Sequence, residues 1–373
     1  MAKKILIFIL SMALVLNSAI VFAAQPASAV KEDKTAKVFI DGVAFKSAAT
    51  LLLKDGTPML STDYFTALGI TAKNQVWDKT KKKLTLTKGA TKLTLELDKS
   101  DFTLNGKKGS INVKPLKNNG KAYFPAEFVA TSFGYKFIPD IATNTYFIKN
   151  NSDFIKNEQL LNNILKAMNG TTKVKVSENA TLNLNGTGMK LNFLAQASTL
   201  SDRVANSFNS NAYYKMTANG VITENKVQLY LDNNQMSTKV NDLEWNTLSI
   251  TEDEAALQFD FKGIFEKNDL VCSALNIVKG ANKDELILKG NIIMGSSIPS
   301  FMNGQGLVNN KVNMNSIEIT LNKDTYIVSK IALKQSGTTV IQKNNYNFSV
   351  DYLISYSDVN GSFDIVIPEE LKK

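Results

Sequence analysis

Apolar and polar residues alternate with a period of two through most of the second half of the chain. Residues 173–184, 190–195, 212–216, 227–232 and 235–240 read as successive strands, and Asn-Gly pairs such as Asn185-Gly186 and Asn219-Gly220 mark turns between them. Further alternating runs follow at 286–293, 316–321, 327–334, 345–357 and 363–367, and the stretch 252–281 between the two sets is more helical. Ahead of them all, Leu160, Leu161, Ile164, Leu165 and Met168 fall on one face of a helix that Asn169-Gly170 closes. One helix, a run of antiparallel strands, a helical insertion and strands again outline a mostly antiparallel β half-barrel covered by helices.

The first half follows a different pattern, and it is stated twice between residues 38 and 149. Ile40-Asp41-Gly42 recurs as Leu104-Asn105-Gly106. Met59-Leu60-Ser61 before Tyr64-Phe65-Thr66-Ala67-Leu68-Gly69 recurs as Tyr123-Phe124-Pro125 before Phe128-Val129-Ala130-Thr131-Ser132-Phe133-Gly134. Each copy predicts a strand and turn, a second strand, a short helix closed by glycine, and a last strand such as 83–86 or 144–148. Asn150-Asn151-Ser152-Asp153 forms a polar joint after the second copy. The I-D-G turn, the apolar step before the helix, the L-G or F-G helix end and Val76-Trp77-Asp78 resemble the copper amine oxidase N-terminal domain-like module of secreted proteins from Gram-positive bacteria. That resemblance implies a small α+β stalk or surface-binding module with no oxidase activity. Composition agrees, because the chain has no histidine and a protein copper site needs imidazole.

The amino terminus predicts export. Lys3 and Lys4 precede an uncharged apolar run from Ile5 to Ala24, and Ala27-Ser28-Ala29 supplies the small residues of a cleavage site. Val21-Phe22-Ala23 is a second candidate, and an uncleaved membrane anchor is the alternative. The expected organisation is a signal peptide at 1–29, the duplicated stalk module at 30–150 and the half-barrel at 151–373, α+β as a whole. The mature protein is expected to be secreted, extracellular or cell-wall associated. The single cysteine, Cys272, allows no internal disulfide, cannot serve as a lipid-carrying residue after the leader, and reads as a small buried apolar side chain.

Charge separates the two halves. Residues 30–150 carry 20 lysines against 11 acidic residues, whereas 151–373 carry 21 basic against 23 acidic residues. Lys79, Lys81, Lys82, Lys83, Lys107 and Lys108 could form a basic face for an anionic cell-wall polymer, or a solvated surface only. Nucleic acid is not expected as a partner, since the only arginine is Arg203.

Gln228-Leu229-Tyr230-Leu231-Asp232 followed by Met236-Ser237-Thr238-Lys239-Val240, the Leu243-Glu244-Trp245 step, 324–330 and the ending 363–370 resemble the LolA-like and LppX-like group of bacterial lipid or lipoprotein carriers. The resemblance implies that an apolar ligand, a lipid or a hydrophobic peptide, lies against the apolar face of the curved sheet. Candidate contacts are Leu229, Leu231, Met236, Trp245, Phe259 and Phe261, with Met294, Ile298, Phe301 and Met302 in a loop whose glycines would let it act as a flap. The plainer reading, ordinary core, is favoured for most of them. A purely structural or adhesive wall protein is the rival reading.

Catalysis finds little support. Without histidine, Ser-His and Cys-His nucleophile pairs are absent, and no cofactor fingerprint or metal motif occurs. Glu252-Asp253-Glu254 follows Thr251 and reads as a helix start rather than as a glycosidase-like carboxylate pair. The chain is therefore expected not to be an enzyme.

Overall fold

The computed structural model describes residues 30–47, 50–141, 144–186, 188–251, 269–291, 308–341 and 344–372, with backbone only at 308–315 and 341. Beyond the leader the chain divides into two compact units, one running to residue 157 and including 268–276, the other made of 158–267 and 277–373. The architecture is α+β, with few helices and one large half-barrel sheet.

In the first unit the chain runs through β1 (Val30–Asp33), β2 (Lys37–Ile40), β3 (Val43–Phe45), β4 (Leu51–Lys54), β5 (Thr57–Ser61), α1 (Asp63–Ala67), β6 (Gln75–Asp78) and β7 (Lys83–Lys88). After β8 (Thr91–Glu96) the same series returns: β9 (Asp101–Leu104), β10 (Lys107–Ser110), β11 (Leu116–Asn118), β12 (Lys121–Pro125), α2 (Ala126–Ser132), β13 (Tyr135–Asp140) and β14 (Thr145–Asn150). Asp41-Gly42 and Asn105-Gly106 have φ of 47° and 75°, and 51° and 81°, the left-handed pair that a two-residue hairpin turn requires.

The two copies pair about a local two-fold axis. β5 and β12 run antiparallel with Leu60 opposite Phe124, which occupy equivalent positions in the two repeats, in a sheet of order β1-β4-β5-β12-β11. The outer hairpins are exchanged between copies. Hairpin β2-β3 adds to β14 in parallel, in the sheet β13-β14-β2-β3. Its counterpart β9-β10 lies in the sheet β10-β9-β8-β7-β6, where β8 separates β9 from β7. The chain has to run from β7 to β9, and two parallel strands cannot be joined by a tight turn, so an antiparallel strand fills the gap. A single core that includes Leu60, Phe65, Leu86, Leu93, Phe124 and Val129 joins the copies.

The second unit is built on the strands β15 (Lys173–Gly186), β16 (Met189–Asp202), β17 (Ser207–Ala218), β18 (Val221–Asp232), β19 (Gln235–Val240), β20 (Asn246–Ser249), β21 (Leu275–Lys279), β22 (Glu285–Gly290), β23 (Val308–Asn322), β24 (Val328–Ile341) and β25 (Asn344–Ser357). They form one eleven-stranded sheet of order β20-β19-β18-β17-β16-β15-β25-β24-β23-β22-β21. The helix α3 (Asn151–Asn169) buries Leu160, Leu161, Ile164 and Met168, and Met168 Sδ accepts the Val328 N–H at 3.4 Å.

Several local expectations change. The polar run 150–153 starts the helix α3: Asn150 Oδ1 accepts the Ser152 N–H at 3.0 Å and its hydroxyl at 2.8 Å. Asn185-Gly186 lies inside β15, because its backbone still finds partners in β16 and β25. The stretch 252–281 is not uniformly helical. Asp269–Ala274 forms α4, whereas Leu275–Lys279 is strand; a short apolar run does not declare its period. Residues 363–367 join no ladder. Their alternation arises because they lie along the polar face of the sheet: Lys173 donates to Phe363 O at 2.7 Å, Asn209 to Val366 O at 3.3 Å, and Lys239 pairs with Glu370 at 3.0 Å.

Candidate functional site

The even-numbered positions of β15 point to the apolar face of the half-barrel: Val174, Val176, Glu178, Ala180, Leu182 and Leu184. Cross-strand pairing extends that face to neighbouring strands and gives it two apolar clusters. Leu182, Leu184, Tyr346, Phe348 and Val350 form one. The other gathers Phe208, Ala212, Val227, Leu229, Leu231 and Met236. Three of the residues singled out from the sequence, Leu229, Leu231 and Met236, are thus brought together, with Leu231 directly opposite Met236, and all three are fully buried among their neighbours. Trp245 is half-buried outside this cluster, its ring 5.9 Å from the Lys239 ammonium. Phe259, Phe261, Met294, Ile298, Phe301 and Met302 lie outside the described residues.

Small residues meet at the middle of the face. Ala180 pairs with Ala195, and Ala197 stands between Glu178 and Ala212. Ala180 and Ala197 remain partly accessible, as does Tyr214, whose ring stacks on Phe193 at 6.1 Å between centroids. Glu178 is partly accessible to solvent on this face. Tyr352 donates its hydroxyl to Glu178 Oε2 at 3.0 Å. Burial pushes the Glu178 carboxyl above the ordinary carboxylate range, and the Tyr352 hydrogen bond offsets only part of that rise. Burial, followed by the proximity of Glu178, raises Tyr214, Tyr352 and Tyr356 as well.

Two further polar side chains share the face. Gln335, opposite Val350, and Thr339, opposite Tyr346, are each 1% exposed, and neither side-chain amide atom of Gln335 nor the Thr339 hydroxyl has a hydrogen-bond partner. A buried amide left in this way carries its full desolvation cost. Sequence reasoning passed over all of these residues. The signal was present in β15, where Glu178 occupies an inward position between Val176 and Ala180 and breaks an otherwise apolar phase.

Two concavities are lined mainly by polar residues. One, of about 700 Å³, runs along the opposite face of the sheet over Asn179, Gln196, Asn211, Lys226, Gln228 and Lys239. Glu178, Ala197, Ala212 and Val227 also border it, but alternation sends their side chains to the other face. The second, of about 610 Å³, lies by Asp284, Asn322 and Thr325. Neither is lined by Leu229, Leu231 or Met236. Among the described residues no group of His, Cys, Asp and Glu could hold a metal ion, and no helix is long and apolar enough to cross a membrane.

The lysines of the first unit do not converge. Lys79, Lys81 and Lys82 follow β6 at one end of its sheet, where Lys83 and Lys99 flank Glu96, while Lys107 opens β10 beside Leu104 at the other end. Lys149 is instead buried, donating to Leu275 O at 2.8 Å, and burial lowers its pKa.

Residues 39–148 match the family model of the copper amine oxidase N-terminal domain, the duplicated segment from which that resemblance was drawn. No curated protein matches the chain. Among solved structures it is similar to LprF from Mycobacterium bovis, at 15% identity and TM-score 0.31 over 57% of this chain and 97% of that one. A β-barrel-like protein with a domain of unknown function from Brucella abortus is similar at 8% identity and TM-score 0.19, over 50% and 99% of the two chains. An outer membrane lipoprotein-sorting protein domain from Vibrio parahaemolyticus is similar at 8% identity and TM-score 0.19, over 58% and 95%. Structural likeness this remote carries no argument about ligand or activity.

Proposed function

We propose that the protein is a non-enzymatic, secreted binding protein whose half-barrel takes an apolar ligand, a lipid or a hydrophobic peptide, against its apolar face. The observation that carries this reading is the patch of small side chains at the centre of that face, where Ala180, Ala195, Ala197 and Ala212 meet between two apolar clusters and would leave a recess. A row of alanines leaves room that leucines would fill. An acyl chain laid there gains about 0.8 kcal/mol for each methylene buried. Leu229, Leu231 and Met236 back the wall, and the sequence supplies further apolar side chains for a cover at Phe259, Phe261, Met294, Ile298, Phe301 and Met302.

Filling the recess tests the reading. Ala197→Phe in the full chain is expected to lower the affinity for an environment-sensitive fatty-acid probe at least tenfold while moving the melting temperature by only a few degrees. If the interior is solid, the added ring overpacks it at a cost of about 1–3 kcal/mol. A clear drop in melting temperature, with no saturable probe uptake by the wild type, would replace the carrier with a structural protein.

A further inference from the structure

The apolar face of the half-barrel does not end at its buried clusters. Phe348, Leu184, Leu191, Ala218 and Val221 stand directly opposite one another on β25, β15, β16, β17 and β18. Along that row exposure climbs from 3% at Phe348 and Leu184, through partly accessible Leu191 and Ala218, to 68% at Val221. The neighbouring row, Val350, Leu182, Phe193 and Met216, reaches the same hairpin with Met216 38% exposed. Asn219-Gly220 turns this hairpin, with φ of 50° and 87°. β18 joins the β19 ladder only from Val227 onward, so among the described residues 221–226 are paired in the sheet with β17 alone.

The other side of the same tip departs from its surroundings. Asn183, Asn192 and Thr217 form a polar row, yet the row ends on Ile222, which is 57% exposed. Val221 and Ile222 therefore present apolar side chains on both faces of one hairpin end. A segment of chain laid on the apolar face would cover Val221 and Met216 and leave Ile222 in water, whereas a medium that surrounds the tip covers all three. The ladder satisfies the hairpin backbone as far as the Ala218–Val221 pair, so the tip can enter a lipid interface without stranding its N–H and C=O groups. Around it stand Lys190, whose N–H donates to Asn219 Oδ1 at 2.8 Å, Lys226, and Lys215 paired with Glu224 at 2.8 Å. Three lysines against one glutamate suit anionic head groups.

We propose that this hairpin end is a membrane-docking edge. Met216, Val221 and Ile222 enter the interface of an anionic bilayer, and Lys190 and Lys226 rest on its head groups. Docking needs no ligand in the half-barrel, and it sets the exposed end of the apolar face against the acyl region.

Because the leader is itself apolar, the test uses the exported protein without residues 1–29 and co-sedimentation with phosphatidylcholine vesicles holding about 30% phosphatidylglycerol in about 0.1 M salt. The unsubstituted protein is expected to partition onto them. Val221→Ser with Ile222→Ser is expected to weaken partition about tenfold at an unchanged melting temperature, since both side chains are exposed. Lys190→Gln with Lys226→Gln should weaken it several-fold on these vesicles and leave binding to pure phosphatidylcholine as it was. Val204, 80% exposed in the turn at the opposite end of β17, is the control, and Val204→Ser should change nothing. Uptake of a soluble fatty-acid probe should be the same in every variant, so a loss on vesicles reports the tip and not the apolar ligand site. Absence of partition, an equal loss in Val204→Ser, or a serine pair that binds vesicles undiminished would overturn the proposal. So would a dimer in sedimentation that the serine pair converts to monomer, which would make a second copy the occupant.

Discussion

Glu178 is the residue at which packing and chemistry conflict most openly, and its ionisation gives a measurable sign. Its carboxyl has a higher pKa in the folded protein than the ordinary 4.5, so the folded state holds the proton longer than the unfolded chain does. Its contribution to stability is fully present below about pH 4.5 and is lost as pH rises through the folded value, where the interior must accept a charge. Glu178→Gln removes that loss. The variant is expected to melt higher than wild type at pH 8 and to converge with it toward pH 4. A melting-temperature difference independent of pH would show that Glu178 stays fully solvated when ionised.

Among the elements, β5 and β12 and the short return segment of the first unit are the most exposed to single changes. Phe124 is fully buried at the two-fold contact and packs on Phe65 at 5.7 Å between centroids, so Phe124→Ala is expected to cost about 3–5 kcal/mol in denaturant unfolding. The segment 268–276, which returns to this unit, buries Cys272, Ala274 and Leu275 and is also held by polar contacts. Asn157 is 1% exposed and donates to Cys272 O at 2.8 Å and Leu275 O at 2.7 Å, and Lys149 reaches the same Leu275 carbonyl. Asn157→Ala strips those carbonyls of a buried donor, at about 1–3 kcal/mol. Because Cys272 is the only thiol and is fully buried, its reaction with a thiol reagent reports release of the segment. The rate should rise many-fold in Asn157→Ala; an unchanged rate would mean that the helix α4 is held by packing alone.

At the scale of the molecule, the two units are built differently. Copies of one unit interlock by exchanged hairpins around a single core. The eleven-stranded sheet carries its alanine patch and the buried Gln335 and Thr339 on a single face. Protein purified without detergent from its own host is expected, in native mass spectrometry, to carry a bound amphiphile that organic extraction removes. Extracted protein should then take up one equivalent of a twelve-carbon glycerol ester. A single unliganded mass before extraction, with no uptake after it, would favour the structural reading.

The duplication, its turns and most of the strands were legible in the sequence because they depend on local chemistry. Asp41-Gly42, Asn105-Gly106 and Asn219-Gly220 specify hairpin turns locally, though Asn185-Gly186 stays in its strand, and a period of two declares a half-buried strand without knowledge of its partner. The resemblance of residues 39–148 to the copper amine oxidase N-terminal domain also rested on such local signals. The exchange of hairpins between copies was not legible, because each hairpin satisfies its own backbone and only the fold decides which free edge it joins. Nor could alternation alone tell the strand β21 from helix in a short apolar run, or the unpaired tail at 363–367 from a strand. The buried polar group shows the division most sharply. Glu178 is visible in the sequence as one acid out of phase, but Tyr352 lies 174 residues away and Gln335 on another strand again. Only the pairing of β15 with β25 and of β25 with β24 puts them on one face, since the energy that makes a buried carboxyl consequential comes from neighbours the chain acquires on folding.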